Sequence, residues 1–300
     1  MNKKIIILML GCLISNASFA STSYIFRYNM PGVNVSEEGF VSEENRKTAW
    51  KEFFDNNQNN FYKPRDDSFN QIVMKGNNIT GFPDENYPLS EISGSIAFFQ
   101  SNVTNVDPFT SLKIVHGSLG FNDSQLNNID GFRNVQQVDD YITVSRNKLT
   151  DIDGFSSLKK AGSYINFEGN NIKNINGLRN LIEVKRFLRG YSNKITNLDA
   201  LERLEYVGEE IEFQNNNLIS IYGLRSLKYV GSRIDLYGNP NLKDISALSN
   251  IDFVGGPIRI DKNINQREGF KGIDANSWLC QPSQKNRFDS NFATQKDLCL

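Results

Sequence analysis

The chain has 300 residues, 39% of them hydrophobic, with 33 Lys+Arg against 34 Asp+Glu and a single histidine. That near-balance excludes binding to nucleic acid or to an acidic membrane by bulk charge. One histidine and three cysteines leave no His/Cys cluster for zinc, and no Ser/His/Asp set can be argued from them.

In chain order, Met1 to Ala20 reads as a secretory leader. Lys3 and Lys4 precede an apolar run from Ile5, and Ser18-Phe19-Ala20 offers a small-residue cleavage site after Ala20. The run is too short to span a bilayer comfortably. The alternative is a lipoprotein cut before Cys12, from the partial motif Leu10-Gly11-Cys12. The short lysine leader has a bacterial look, and the expected address is secreted or periplasmic. No later segment is long and apolar enough for a membrane span. Cleavage removes two lysines and no acid, leaving a net charge of about −3.

Residues 21–71 show no repeat. Tyr24 to Tyr28 and Val33 to Val35 read as short strands split by Pro31-Gly32. Ser42-Glu43-Glu44 is a helix start, with a capping hydroxyl and acids near the positive end of the dipole. Trp50, Phe53 and Phe54 then share one helical face. A stack of repeats exposes an apolar end that needs cover, so this helix is expected to be a cap. The alternative is a docking helix for a partner.

From Ile72 to Asn263 one short unit repeats. Units start at Ile96, Leu119, Ile142, Ile165, Leu188, Ile211 and Ile234, in steps of 23 residues. Steps of 24 lead in from Ile72 and out to Ile258. A fixed period in this range signals a solenoid. With the start as position 0, apolar residues recur at positions 7, 10, 13, 16 and 19, as in Ile172, Ile175, Leu178, Leu181 and Val184. Position 2 is apolar too (Phe98, Phe121, Val144, Phe167, Phe213, Leu236), except at Gly190. Positions 0 and 2 alternate, as a strand with one buried face requires. The later steps of three suit tight turns or a 3-10 return path.

Position 5 is asparagine in five successive units: Asn147, Asn170, Asn193, Asn216 and Asn239. An amide where the chain leaves the strand can satisfy backbone groups of its own and neighbouring coils, forming an internal ladder. Turn preference alone would not hold one position through five units.

The pattern I-x-I-x-x-N-x-L-x-x-I-x-x-L-x-x-L-x-x-V resembles leucine-rich repeats. The tail V-G-x-x-I at Val207-Gly208 and Val230-Gly231 resembles the receptor L-domain variety, and the spacing resembles internalin repeats with one extra residue. The resemblance implies a solenoid with a parallel sheet on one face and short turns or 3-10 segments opposite. It also implies a non-catalytic binding role, in the manner of host-surface recognition. Gly190 and the inserted Pro240-Asn241 depart from the pattern. The expected organisation is a leader over 1–20, a small helical N-terminal cap over 21–71, the solenoid over 72–263 and a C-terminal cap over 264–300.

The outward strand positions 1, 3 and 4 make a polar, mixed-sign face. Its candidate ligand-binding residues are Arg146, Glu168, Arg189, Tyr191, Glu212, Gln214, Asp235, Tyr237 and Arg259. Tyr and Arg are the types that anchor interfaces. The alternative is a solvated surface with charges interspersed for solubility. Turns such as Asn128-Ile129-Asp130-Gly131 and Asp151-Ile152-Asp153-Gly154 have too few oxygens for calcium and read as Asx turns into glycine. The sequons at Asn78, Asn102 and Asn122 are expected to be unmodified. Without Cys12, Cys280 and Cys299 form an even pair, and in an exported chain one disulfide is expected. Two free thiols are the alternative. Trp278, Leu279, Phe288 and Phe292 are placed to cover the last coil.

Glu168 and Glu212 fall two coils, or about 10 Å, apart on the sheet face, which is long for a glycosidase pair. The expectation is therefore no enzyme, no cofactor and no metal, with a protein or glycan surface as partner. The alternatives are a structural or assembly component of a cell envelope, pilus or secretion apparatus, and a glycan-processing enzyme.

Overall fold

The computed structural model describes residues 72–75, 89–260, 270–288 and 294–300. The leader with Cys12, the cap helix with Trp50, Phe53 and Phe54, the sequon at Asn78, the boundary after Asn263, and Phe292 all fall outside them.

From Ile96 onward each unit is built from three sides. The first side is a strand at positions 0 and 1, such as Ile165–Asn166 or Leu188–Arg189. Nine such strands, from Ile72–Lys75 to Ile258–Arg259, form one parallel sheet. Register is set by the repeat, because equal positions pair: Ile142 with Ile165, Leu188 with Ile211, and Ile211 with Ile234. The second side is a 3-10 turn at positions 11 to 13, such as Asp153–Phe155. Its Asx start is present: the Asp153 N–H donates to Asp151 Oδ1 at 3.2 Å. Coils touch closely here. A Cβ on Gly154 would lie 1.9 Å from the Ile129 carbonyl oxygen of the coil before, which favours glycine in the middle of this turn.

The third side extends the sequence reading. Positions 18 and 19 form a second parallel sheet of eight two-residue strands, from Glu91–Ile92 to Phe253–Val254. The spacing of three had suggested only turns along this stretch. The valines at position 19 carry the missing signal, since β-branched side chains favour extended backbone.

The asparagine ladder is built as the repeat requires. Asn170 Nδ2 donates to the carbonyls of Val144 in the preceding coil and Phe167 in its own, both at 3.0 Å. Its Oδ1 accepts the N–H groups of Asn147 and Leu149, at 3.1 and 3.2 Å. Asn193, Asn216 and Asn239 repeat the arrangement. All five amides are buried, so they are not surface turns. In the first units serines take over, with the Ser101 and Ser124 hydroxyls 2.8 Å apart.

Position 4 corrects the sequence reading. It is a left-handed bend and not part of the strand. Gln100, Asp123, Arg146, Ser192 and Asn215 have φ between 50° and 55°, and glycine serves at Gly169 and Gly238. A two-residue strand must bend sharply to turn the next side chain, the ladder amide, inward. A non-glycine residue in this region costs on the order of 1–2 kcal/mol.

Both irregularities are absorbed. A Cβ at Gly190 would fall 2.3 Å from the Phe167 ring. Phe167 and Phe213, with centroids 6.2 Å apart, reach in from the coils on either side and fill the space. The Pro240-Asn241 insertion sits in an exposed turn, and the pairing of Asp235 with Arg259 is kept.

At the C-terminal end Cys280 and Cys299 are disulfide-bonded, with Cα atoms 5.8 Å apart. Leu279 and Phe288 are buried there, and Phe288 bridges to Ile258 of the last strand. Trp278 also stacks on Phe253 on the outer side of the second sheet, at 6.2 Å.

Candidate functional site

The outward face of the first sheet holds three groups of side chains, each assembled across neighbouring coils. In the first, Arg146 makes a two-pronged contact with Asp123, at 2.6 and 2.9 Å. It also reaches Glu168 at 2.8 Å. These pairs hold Asp123 below the usual carboxylate range, through the hydrogen bond from Arg146 first. Tyr191, one coil on, lies beside Glu168. Burial first, then the neighbouring Glu168 carboxylate, pushes its hydroxyl up to about 12.

The second group is packed more tightly. Glu212 is 2% exposed and lies between the guanidinium groups of Arg189 and Arg233. Arg189 also contacts Glu210 at 2.8 Å and lies over the Phe187 ring, 3.8 Å from its centroid. Burial opposes the charge on Arg189, but its carboxylate partners outweigh this and raise its pKa. In the third group Arg259 faces Asp235 at 3.5 Å, and Asp235 accepts the Tyr237 N–H at 3.2 Å. Asp235 is 6% exposed and Tyr237 is 44% exposed.

The structure therefore brings Arg146, Glu168 and Tyr191 together, and likewise Arg189 with Glu212, and Asp235 with Arg259 and Tyr237. It corrects the expected openness of two of them. Glu212 and Asp235 point outward but are covered by arginines, Arg189 and Arg233 for Glu212 and Arg259 for Asp235, because an outward carboxylate on a parallel sheet is within reach of long side chains on both sides. Gln214 sits between Tyr191 and Tyr237, half-buried, and its Oε1 has no hydrogen-bond partner among the described residues. Sequence reasoning missed Phe187, Glu210 and Arg233, which precede strands at position 22. The signal was there: that position carries Tyr141, Tyr164, Phe187, Glu210 and Arg233 in successive units.

The second sheet carries a different surface. Tyr206, Tyr229 and Phe253 stack at 4.9 and 5.0 Å, and Trp278 extends the row. Tyr141, Tyr164 and Phe187, each directly before a first-sheet strand, form another stack, at 5.0 and 4.3 Å. His116 lies on the second-sheet side, its Nε2 2.6 Å from Glu91 and its Nδ1 2.7 Å from Asp139. The carboxylates sit on opposite ring nitrogens, so the three side chains do not converge on one point. Among the described residues no group of three His, Cys, Asp or Glu is placed to hold a metal. No described helix is long and apolar enough to cross a membrane. An open groove of about 500 Å³ lined by Ser90, Thr110, Ser111, Lys113, Arg133 and Asn134 contains none of the expected site residues.

No protein-family model and no curated protein matches the chain. Among solved structures, an internalin (inlF) from Listeria monocytogenes is similar at 16% identity, covering 66% of this chain and 67% of its own, with a TM-score of 0.39. An internalin C2 (inlC2) from the same organism is similar at 15% identity, covering 62% and 80%, with a TM-score of 0.40. A leucine-rich-repeat protein of Leptospira interrogans is similar at 13% identity, covering 72% and 77%, with a TM-score of 0.36.

Proposed function

We propose, for a chain that is a leucine-rich-repeat solenoid of parallel strands and 3-10 turns, a role as an exported, non-catalytic binding protein. Its first-sheet face recognises a protein or glycan surface, and the partner lies outside the producing cell, on a host. The observation that carries this reading is the pair of tyrosines, Tyr191 and Tyr237, held on a rigid sheet whose charges are fixed in pairs. Preorganised aromatic anchors bind with little ordering cost. The leader motif around Lys3, Lys4 and Ala20 and the Cys280–Cys299 disulfide support export. Glu168 and Glu212 are each engaged by arginine, which suits a binding face.

Affinity capture tests the proposal. The immobilised protein and a Tyr191→Ala/Tyr237→Ala variant are exposed to a host-surface extract and to the producer's own envelope extract. A host component lost in the variant supports the reading. Arg189→Glu is a poor probe, since it would break the cluster around Glu212. A second reading, an envelope or assembly component, is favoured by the aromatic row that links the second sheet to Trp278 of the C-terminal cap. A producer-envelope partner kept by the tyrosine variant and lost in Tyr229→Ala would establish that alternative instead.

A further inference from the structure

We propose that the ligand of the first-sheet face is a neutral, extended β-linked polysaccharide lying across Tyr191, Gln214 and Tyr237. This rests on the reading that the first-sheet face is the binding surface, and it names the class of ligand.

The three residues occupy position 3 of three consecutive coils, whose strands pair Leu188 with Ile211 and Ile211 with Ile234. The two tyrosines are therefore two coil steps apart, about 10 Å. The repeat does not ask for an aromatic residue here, because Asn122, Ser145 and Glu168 fill the same position in the three preceding units. The contrast with the second sheet matters. Tyr206, Tyr229 and Phe253 are one coil step apart, and their ring faces cover one another. At two steps, Tyr191 and Tyr237 cannot stack on each other. Two coil steps also approach the two-sugar repeat of an extended β-1,4-linked chain, so alternate sugars would present the same face to successive rings. A pyranose has an apolar face of axial C–H groups and a rim of hydroxyls. It thus matches an aromatic ring flanked by neutral hydrogen-bonding groups. Gln214, with its unpartnered amide oxygen, and the exposed Ser192 and Asn215 supply such groups. A turn of the half-buried Gln214 side chain would offer that oxygen to a sugar hydroxyl.

Charge selects the neutral class. Arg146 is engaged by Asp123 and Glu168, Arg189 and Arg233 by Glu210 and Glu212, and Arg259 by Asp235. A charged ligand would compete with pairs already made, and at the buried Glu212 the loss of an arginine partner is strongly unfavourable. A neutral chain leaves every pair intact.

The test is titration of the protein with cellohexaose, xylohexaose and chitohexaose, and with polygalacturonate and heparin as charged comparators. The expected result is binding of at least one neutral hexaose. Tyr191→Ala and Tyr237→Ala should each weaken it by about tenfold or more, with Tyr206→Ala unchanged. Unfolding midpoints equal to the parent's show that the variants are folded. The proposal is overturned if no neutral hexaose binds, if a charged polymer binds in preference, or if both tyrosine variants bind as the parent does. If no hexaose binds but a captured host protein is lost with Tyr191 and Tyr237, the first-sheet reading stands and the glycan proposal falls. If a hexaose is lost only in Tyr206→Ala, both fall.

Discussion

The N-terminal and C-terminal coils share one backbone plan but fill the same core positions with different side chains. In the earlier coils these positions hold stacked phenylalanines. Phe98 and Phe121 stack at 5.4 Å, and Phe109, Phe132 and Phe155 form a buried column at 6.0 and 6.1 Å. From Leu178 onward the same core position is leucine (Leu178, Leu201, Leu224). The large apolar residues exposed among the described ones are Tyr206, Ile219, Tyr222, Tyr237, Phe253 and Leu300, all in the C-terminal part. Each unit is a control for the next. The inside must be filled, by Phe or by Leu with its neighbours. Among the described residues the large exposed apolar side chains lie in the later coils, where the proposed binding face and the outer aromatic row are found.

The sharpest way to break this contrast is to remove one ring from each place. Phe132→Ala should cost about 3–5 kcal/mol, the range for a buried phenylalanine, whereas Tyr229→Ala on the outer stack should cost under about 1.5 kcal/mol. Denaturant unfolding of both variants measures the difference. Equal losses would mean that the outer stack is part of the fold's core support.

Cys280→Ser comes next. The bridge spans 19 residues, and its removal should cost about 3 kcal/mol if unfolded-chain restriction dominates. Stability in a solenoid is local, so limited proteolysis should cut residues 270–300 sooner and spare the coils around Asn170. Unchanged protection at the C-terminus would remove the bridge from the account of the cap.

Gly190→Ala tests the point where core rings compensate for a missing side chain. The new methyl would meet Phe167 and Phe213, and overpacking of this kind costs about 1–3 kcal/mol. A double variant with Phe167→Leu should recover part of the loss.

The smallest effect is the pH response of His116, which links three coils through Glu91 and Asp139. Burial disfavours its charge, but the two hydrogen-bonded carboxylates outweigh this, and its pKa is raised above 6.5. A raised folded-state pKa means the contribution is fully present below the unfolded value and is lost as pH rises through the folded one. Hydrogen-exchange protection in the coils around Ile92 and Val115, corrected for the intrinsic pH dependence of amide exchange, should therefore be greater at about pH 6 than at about pH 8.5, and His116→Gln should flatten that difference in protection. NMR titration of the single histidine reads the shift directly, and a value at or below 6.5 would count against the clamp.

Much of this molecule was legible in the chain because a solenoid's spatial neighbours sit at fixed sequence spacings. The period, the inward positions, the asparagine ladder and the Asx turns all follow from that one-dimensional order. Cys280 and Cys299 were readable as a pair from their number alone. What the repeat could not carry was which residues at a given position would meet. Glu212 is covered by Arg189, from the same position one coil earlier, and by Arg233, which precedes the next strand. His116 meets Asp139 at the same position one coil on and Glu91 in the coil before, and the gap at Gly190 is filled by Phe167 and Phe213 from the same position of the flanking coils. The second sheet and the left-handed bend at position 4 also appeared only in three dimensions. A two-residue strand and a single bent residue leave almost no pattern in sequence, and the closure of each coil against the next decides both.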